Sequence, residues 1–288
     1  MIKNFEYFKP VSVEEVCSLL KAHGKNAKVL AGGTDLIVAM QEKGLEPKYV
    51  VDIKALEGID KITYDEGKEI LRIGAATKLN MIAESGLVRE HWEILANAAR
   101  TVGSYQIRNR ATIGGNVCNA SPSADTLTSL LALGAEIKIV GVTGCRSVPA
   151  EEFFVGPGQT ILEDGEIVTE IQISKPKVNQ AGKYVKHSRR KAVDLAIIGV
   201  AVVGQKDNSG YNFKVALGAV APTPFRATEV EEVLNTDEVT DELIDEAAKK
   251  AAELVSPITD LRGTKEYRVK MIEVQTRRAL EEVVDKLG

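Results

Sequence analysis

Two short stretches of this chain share one design and restrict it more than any other feature. Val29-Leu30-Ala31-Gly32-Gly33-Thr34-Asp35-Leu36 and Ala111-Thr112-Ile113-Gly114-Gly115-Asn116-Val117 each read as an apolar strand, a small residue, a glycine pair, a polar residue and then a helix. A glycine pair lets the backbone turn with positive φ and lets its N–H groups approach an anion with no Cβ in the way. A helix opening directly afterwards adds the positive end of its dipole. Thr34 and Thr112 each carry a hydroxyl that can donate to phosphate. Two such loops on different modules could bracket a diphosphate from both sides. The same residues also fit two tight strand-to-helix turns, and spacing alone does not choose between these readings.

Other nucleotide and hydrolase signatures are absent. The sequence contains no G-x-x-x-x-G-K-[ST], no G-x-G-x-x-G and no G-x-S-x-G, which removes the P-loop, the Rossmann dinucleotide fingerprint and the nucleophile elbow. Cys17, Cys118 and Cys145 form no C-x-x-C pair, and His23, His91 and His187 are equally dispersed. Local spacing therefore supports neither a zinc site nor an iron–sulfur cluster. Nor does any pair of acids, or any nucleophile with a base, stand out as catalytic.

Hydrophobic periodicity divides the 288 residues into three stretches. In residues 1–55, Ser12 with Glu15 reads as a capping box opening a helix to about His23. A strand at Lys28–Leu30, a helix over Asp35–Glu42 and a strand at Tyr49–Ile53 follow. Residues 56–176 carry a hairpin, Ile59–Tyr64 with Glu69–Ile73, then helices at Lys78–Glu84, His91–Val102 and Asp125–Leu133. Strands at Glu136–Val140 and Glu166–Ile173 close that stretch, and Pro176–Gly182 reads as a linker. Residues 177–288 predict strands at Lys183–His187, Ala196–Lys206 and Tyr211–Val220, then helices at Ala227–Leu234, Asp241–Val255 and Thr264–Leu287. In the last helix Tyr267, Met271, Val274, Leu280, Val283, Val284 and Leu287 line one side.

Charge and composition narrow the setting. The net charge of -4 offers no electrostatic case for nucleic acid or an anionic membrane, and 44% hydrophobic residues suffice for a core without disulfides or structural metal. Apolar runs such as Leu195–Gly204 are too short to span a bilayer, and residues 1–6 lack the apolar stretch of a secretion signal. The expectation is a cytoplasmic protein.

Ala31-Gly32-Gly33-Thr34-Asp35-Leu36, Gln106-Ile107-Arg108-Asn109, Thr112-Ile113-Gly114-Gly115-Asn116 and Ser121-Pro122-Ser123-Ala124-Asp125 occur in this order. Phe154-Val155-Gly156-Pro157-Gly158, Thr160-Ile161-Leu162, Tyr184–Arg190 and Ala219–Pro224 continue the series. Taken together they closely resemble the FAD-binding subunit of the molybdenum hydroxylases, the family of the xanthine dehydrogenase and carbon monoxide dehydrogenase medium subunits. The details look most like bacterial xanthine dehydrogenase or a related purine or nicotinate hydroxylase. Without a cysteine cluster, the chain does not resemble the benzoyl-CoA reductase branch.

The resemblance implies an α+β fold: a two-subdomain FAD-binding module of the vanillyl-alcohol oxidase/PCMH type (1–55 and 56–176), then a small antiparallel sheet with C-terminal helices (177–288). FAD would lie extended in a cleft between the first two modules and the third. Residues Ala31, Gly32, Gly33, Thr34 and Asp35, with Thr112, Ile113, Gly114, Gly115 and Asn116, would hold its pyrophosphate and adjoining hydroxyls. Leu30, Leu36 and Ser121 complete that set, and Asp125 would accept hydrogen bonds from FAD hydroxyls or serve as a plain N-cap. Ile161 and Leu162 match the apolar segment beside the isoalloxazine. Lys186 matches a lysine near the flavin's pyrimidine end, against its alternative as a solvated strand lysine. Val102 falls where some relatives cover the adenine with an aromatic ring, which valine cannot imitate by stacking. Arg189 and Arg190 are expected at an interface or the surface; Arg108 either supports the second loop or meets a partner. The implied partners are a small [2Fe–2S] subunit and a large molybdenum-cofactor subunit, with NAD+ or another acceptor taking the electrons. A stand-alone flavin oxidase of the vanillyl-alcohol oxidase-type fold and an adaptor that has lost FAD are the alternatives.

Overall fold

The structure, a computed structural model, describes residues 2–288. Its first layer is a parallel sheet of three strands, with Tyr49–Asp52 between Glu6–Phe8 and Ala27–Leu30. Helix Val13–His23 covers it and buries Val16, Cys17 and Leu20. It opens as expected, with the Glu15 N–H donating to the Ser12 hydroxyl at 3.2 Å, and it ends at Gly24, whose φ of +48° no β-branched residue would accept. Parallel strands need a crossover, so the chain leaves Leu30, passes through the first glycine loop and helix Leu36–Glu42, and returns at Tyr49.

The second layer is an antiparallel sheet of five strands, ordered Ile62–Asp65, Ile70–Gly74, Ile167–Ser174, Glu136–Gly141 and Gly144–Pro149. The last of these was not foreseen. Its residues Cys145, Arg146 and Ser147 are all exposed, so the strand carries no hydrophobic alternation to read. Short helices pack over this sheet. The single helix expected from His91 to Val102 is interrupted at Trp92, leaving Gly86–His91 and Glu93–Thr101. The Trp92 ring is 1% exposed, and its Nε1 donates to the Ser174 carbonyl at 3.0 Å. Burying and pairing the indole outweighs helix continuity there.

The third layer is an antiparallel sheet of Gln180–His187, Ile198–Asp207, Gly210–Gly218 and Phe225–Arg226. The expected linker is shorter than its composition implied: Gln180, Ala181 and Gly182 already pair with Gln205, Gly204 and Val203. Strand alternation divides the sheet's faces. Tyr184, Ala201, Val203 and Ala216 join a core shared with the first two layers, while Val200, Val202, Val215 and Leu217 face the C-terminal helices.

Helix Lys265–Leu287 is phased differently from the pattern read in its first half. Its buried face runs through Arg268, Ile272, Gln275, Thr276, Ala279, Leu280 and Val283, and Tyr267 is exposed. Arg268 is the cause: its guanidinium donates to the Ile197 and Ala219 carbonyls and to Asp260, so a charged residue occupies a core position with partners. Among the described residues no helix is long and apolar enough to cross a membrane. Replacing Arg268 by Met should destabilise the fold by roughly 1–3 kcal/mol, because the Ile197 and Ala219 carbonyls lose a donor while Asp260 keeps Arg262. Urea denaturation checks this, and a midpoint equal to wild type would contradict it.

Candidate functional site

The three layers enclose one cleft of about 920 Å3. The first glycine loop lines it from Ala31 to Leu36, and the second contributes Thr112, Gly114, Gly115 and Asn116. Val102, Ser121, Asp125 and Leu162 also border it. Of the expected residues, Leu30, Ile113, Ile161 and Lys186 do not reach the wall. Ile113 is fully buried, Leu30 is half-buried, and Ile161 packs against the core.

The two loops are not equivalent. In the first, Gly33 has a φ of +79°, the conformation glycine was expected to supply. Among the described residues no protein acceptor is hydrogen-bonded to the N–H groups of Gly32, Gly33, Thr34 and Asp35. Successive free N–H groups in such a turn form an anion-binding concavity. Asp35 does not cap helix Leu36–Glu42 with its side chain; its carboxylate instead accepts from Thr34 Oγ1 at 3.4 Å and from Asn119 Nδ2 at 3.2 Å.

The second loop departs from the expectation. No strand precedes it, and Gly114 and Gly115 lie in the first turn of helix Ile113–Asn119 with ordinary negative φ. Its backbone donors are already engaged. The Ile113 N–H goes to Thr77 O (3.0 Å) and that of Gly114 to Ala75 O (2.8 Å), while Gly115 donates to Thr112 Oγ1 (3.1 Å) and Asn116 to Thr112 O (2.9 Å). Side chains therefore face the cleft as donors here: the Thr112 hydroxyl and the Asn116 amide, whose oxygen accepts from Thr126. Glycine at 114 is required by packing, since a Cβ would stand 2.6 Å from that of Ala75. At Gly32 the demand is stricter, because a Cβ would lie 2.1 Å from the Arg110 carbonyl oxygen. Gly32 thus brings the two loops into backbone contact.

Asp125 is the first residue of helix Asp125–Ala132 and Ala124 is its cap, so the plain N-cap alternative fails. One carboxylate oxygen accepts from the Tyr184 hydroxyl at 2.6 Å and the other from Lys186 Nζ at 2.9 Å. Lys186 also donates to the Thr101 carbonyl at 3.0 Å and is only 10% exposed, which removes its reading as a solvated lysine. Burial pushes the Asp125 carboxyl above its ordinary value against the opposing pull of Lys186 and Tyr184. Burial, then the Asp125 charge, pushes the Tyr184 phenol well up, so it stays a donor.

Lys186 holds the carbonyl of Thr101, the chain neighbour of Val102, so it braces the wall that carries Val102 without itself lining the cleft. Arg108 supports this wall, donating to the Val102 carbonyl at 3.0 Å and to Asn80 at 2.9 Å.

Sequence reasoning missed Tyr184 as a site residue, although it stands two positions from Lys186 on one strand, the spacing of a shared face. Val193, Asp194, Leu195 and Arg262 also border the cleft. They come from loops with no local signature. Cys118 borders the cleft as well and is exposed.

Residues 3–176 match the FAD binding domain in molybdopterin dehydrogenase, and residues 183–283 match the CO dehydrogenase flavoprotein C-terminal domain. The chain belongs to the FAD-binding subunits of the molybdenum hydroxylases. It is 32% identical over 284 residues to the xanthine dehydrogenase FAD-binding subunit of Escherichia coli O157:H7, covering 98% of this chain and 97% of that one. To the carbon monoxide dehydrogenase medium chain of Hydrogenophaga pseudoflava it is 35% identical over 277 residues, covering 96% of each. The solved carbon monoxide dehydrogenase from Hydrogenophaga pseudoflava, in a form lacking the Mo-pyranopterin moiety, superimposes with a TM-score of 0.96 at 33% identity over 100% of both chains.

The fold is accordingly the α+β, PCMH-type FAD-binding architecture, the cofactor is FAD, and the chain is an oxidoreductase subunit. Independently, the cleft fits that cofactor: free N–H groups stand at the first loop, two hydroxyl or amide side chains at the second, and no side chain blocks Gly32 or Gly33. Because the Asp125–Lys186 pair is buried, Lys186→Met should cost roughly 3–5 kcal/mol by leaving the carboxylate uncompensated. Thermal unfolding without added FAD reads this directly, and a loss below 1 kcal/mol would show the pair to be solvated instead.

Proposed function

We propose that this chain is the electron-transfer subunit of a molybdenum hydroxylase of the xanthine dehydrogenase type, taking electrons from [2Fe–2S] centres and passing them to NAD+ or another acceptor. Substrate hydroxylation would take place on a separate large subunit carrying the molybdenum cofactor. In this proposal residues 1–55 and 56–176 are the FAD-binding subdomains and 177–288 the C-terminal domain. The observation that carries it is the row of unpartnered N–H groups from Gly32 to Asp35, facing the same cleft as Thr112 and Asn116.

The bound flavin supplies the redox chemistry, accepting electrons and returning them in pairs. The protein's own task is to bind, orient and tune. Gly32, Gly33, Thr34 and Asp35 would meet the pyrophosphate with backbone donors, and Thr112 and Asn116 with side chains. Val102, Ile107 and Leu195, on the wall that Lys186 and Asp125 stiffen, offer apolar surface for the flavin ring. Val29, Ala39, Leu45 and Ile53 of the first module offer the same for adenine. Lys186 does not line the cleft and its charge is paired with Asp125, so it would act on the ring through the wall it braces rather than by direct contact.

The cleft's own groups fit a relay better than a complete catalyst. The Asp125 carboxylate is engaged on both oxygens, and His187 donates to or accepts from Tyr267 at 2.8 Å outside the cleft wall. Relatives bearing the words medium chain and FAD-binding subunit support a multi-subunit assembly.

The purified chain should be yellow, with stoichiometric FAD. Gly33→Val, which forces a β-branched residue to positive φ, should weaken FAD binding roughly tenfold or more. Full occupancy in that variant would refute the first-loop assignment. The chain alone should oxidise no substrate, while the native complex reduces its acceptor. Rapid oxidation of an alcohol by the isolated chain would establish the stand-alone oxidase instead.

A further inference from the structure

None of Tyr7, Asp52 and Lys54 borders the cleft, yet together they reach the first glycine loop. Tyr7 donates its hydroxyl to Asp52 Oδ2 at 2.5 Å, and Lys54 Nζ donates to the same oxygen at 2.7 Å. The other carboxylate oxygen accepts the Lys54 backbone N–H at 2.9 Å. Lys54 Nζ then donates onward to the Ala31 carbonyl at 3.2 Å. Asp52 is 3% exposed and sits at the end of the central strand of the parallel sheet, so the chain of contacts starts from a rigid base. Burial works to raise the Asp52 carboxyl, but hydrogen bonds from Lys54 and Tyr7 outweigh it and hold the group below its ordinary value. The anchor is thus ionised at neutral pH.

The consequence lies in the peptide plane. A trans peptide sets its C=O and the following N–H on opposite edges, and no cis bond occurs among the described residues. Holding the Ala31 oxygen on Lys54 therefore fixes the Gly32 N–H on the opposite edge of that plane, and both Ala31 and Gly32 line the cleft. Without that hold, the plane next to a glycine rotates readily, because no Cβ opposes it. A rotated plane would present a carbonyl oxygen to an incoming phosphate and remove one donor.

We propose that Lys54, braced by Asp52 and Tyr7, is a positioning residue that locks the Ala31–Gly32 peptide with its N–H toward the diphosphate of the bound dinucleotide. This rests on the first loop being the anion site of the proposed function. It concerns orientation of the loop and involves no direct contact between Lys54 and FAD.

The test titrates the full chain, stripped of flavin, with FAD, ADP and adenosine, comparing wild type with Lys54→Met, Lys54→Arg and Tyr7→Phe. Lys54→Met should weaken FAD and ADP by a common factor of roughly ten, while adenosine, which has no diphosphate, binds as before. Lys54→Arg should recover most of the loss, since it can bridge the same two acceptors. Tyr7→Phe, too remote to touch the ligand, should lose a smaller part of FAD and ADP affinity. Unchanged FAD and ADP binding in Lys54→Met would overturn the proposal and leave the functional reading standing. An equal loss for adenosine would also overturn it, showing general destabilisation. Wild-type protein that binds no FAD would remove the functional reading and this inference together.

Discussion

Everything about the cleft depends on how closely two pieces of main chain approach at Gly32. A Cβ there would fall 2.1 Å from the Arg110 carbonyl oxygen, so the loop after the first sheet and the segment before helix Ile113–Asn119 touch as bare backbone. That contact closes the seam between the first two layers. It also places the free N–H groups of one loop opposite the side-chain donors of the other. Close packing leaves no slack to absorb an extra methyl at such a point.

Around that seam the protein holds its site with polar struts, of whose residues only Asp125 and Ala31 border the cleft. On the first module, Tyr7, Asp52 and Lys54 grip the Ala31 carbonyl. On the third, Tyr184 and Lys186 grip Asp125, and Lys186 reaches on to the Thr101 carbonyl beside Val102. Both struts pair a buried carboxylate with a lysine and a tyrosine hydroxyl, so each charge has a partner and each carboxylate oxygen a donor. Paired in this way, buried charges orient loops that hydrophobic packing alone would leave free to shift.

Much of this was legible in residue order. The capping box at Ser12, the strand and helix signals of the first module and the antiparallel strands of the third follow from periodicity and turn chemistry. The failures share a physical cause. Trp92 breaks a helix because its ring and its N–H find partners on a strand 82 positions away. Arg268 takes a core position because two carbonyls and Asp260 converge on it. The Gly144–Pro149 strand is exposed and so carries no pattern. In each case a distant partner, or the lack of a buried face, overrode the local signal.

The sequence by itself determined that two glycine-paired segments exist, that they sit among the motifs of an FAD-binding family, and that no nucleophile or metal pattern competes with them. Tertiary structure decided what each segment does. It left the N–H groups of Gly32 to Asp35 free and spent those of Ile113 to Asn116 on neighbouring carbonyls and a threonine cap. It also joined Lys186 to the wall that carries Val102. A glycine pair permits a backbone to come close to something, but what it approaches depends on which chain segments the fold brings alongside. At the first pair that neighbour is the cleft and the Arg110 carbonyl; at the second it is Ala75.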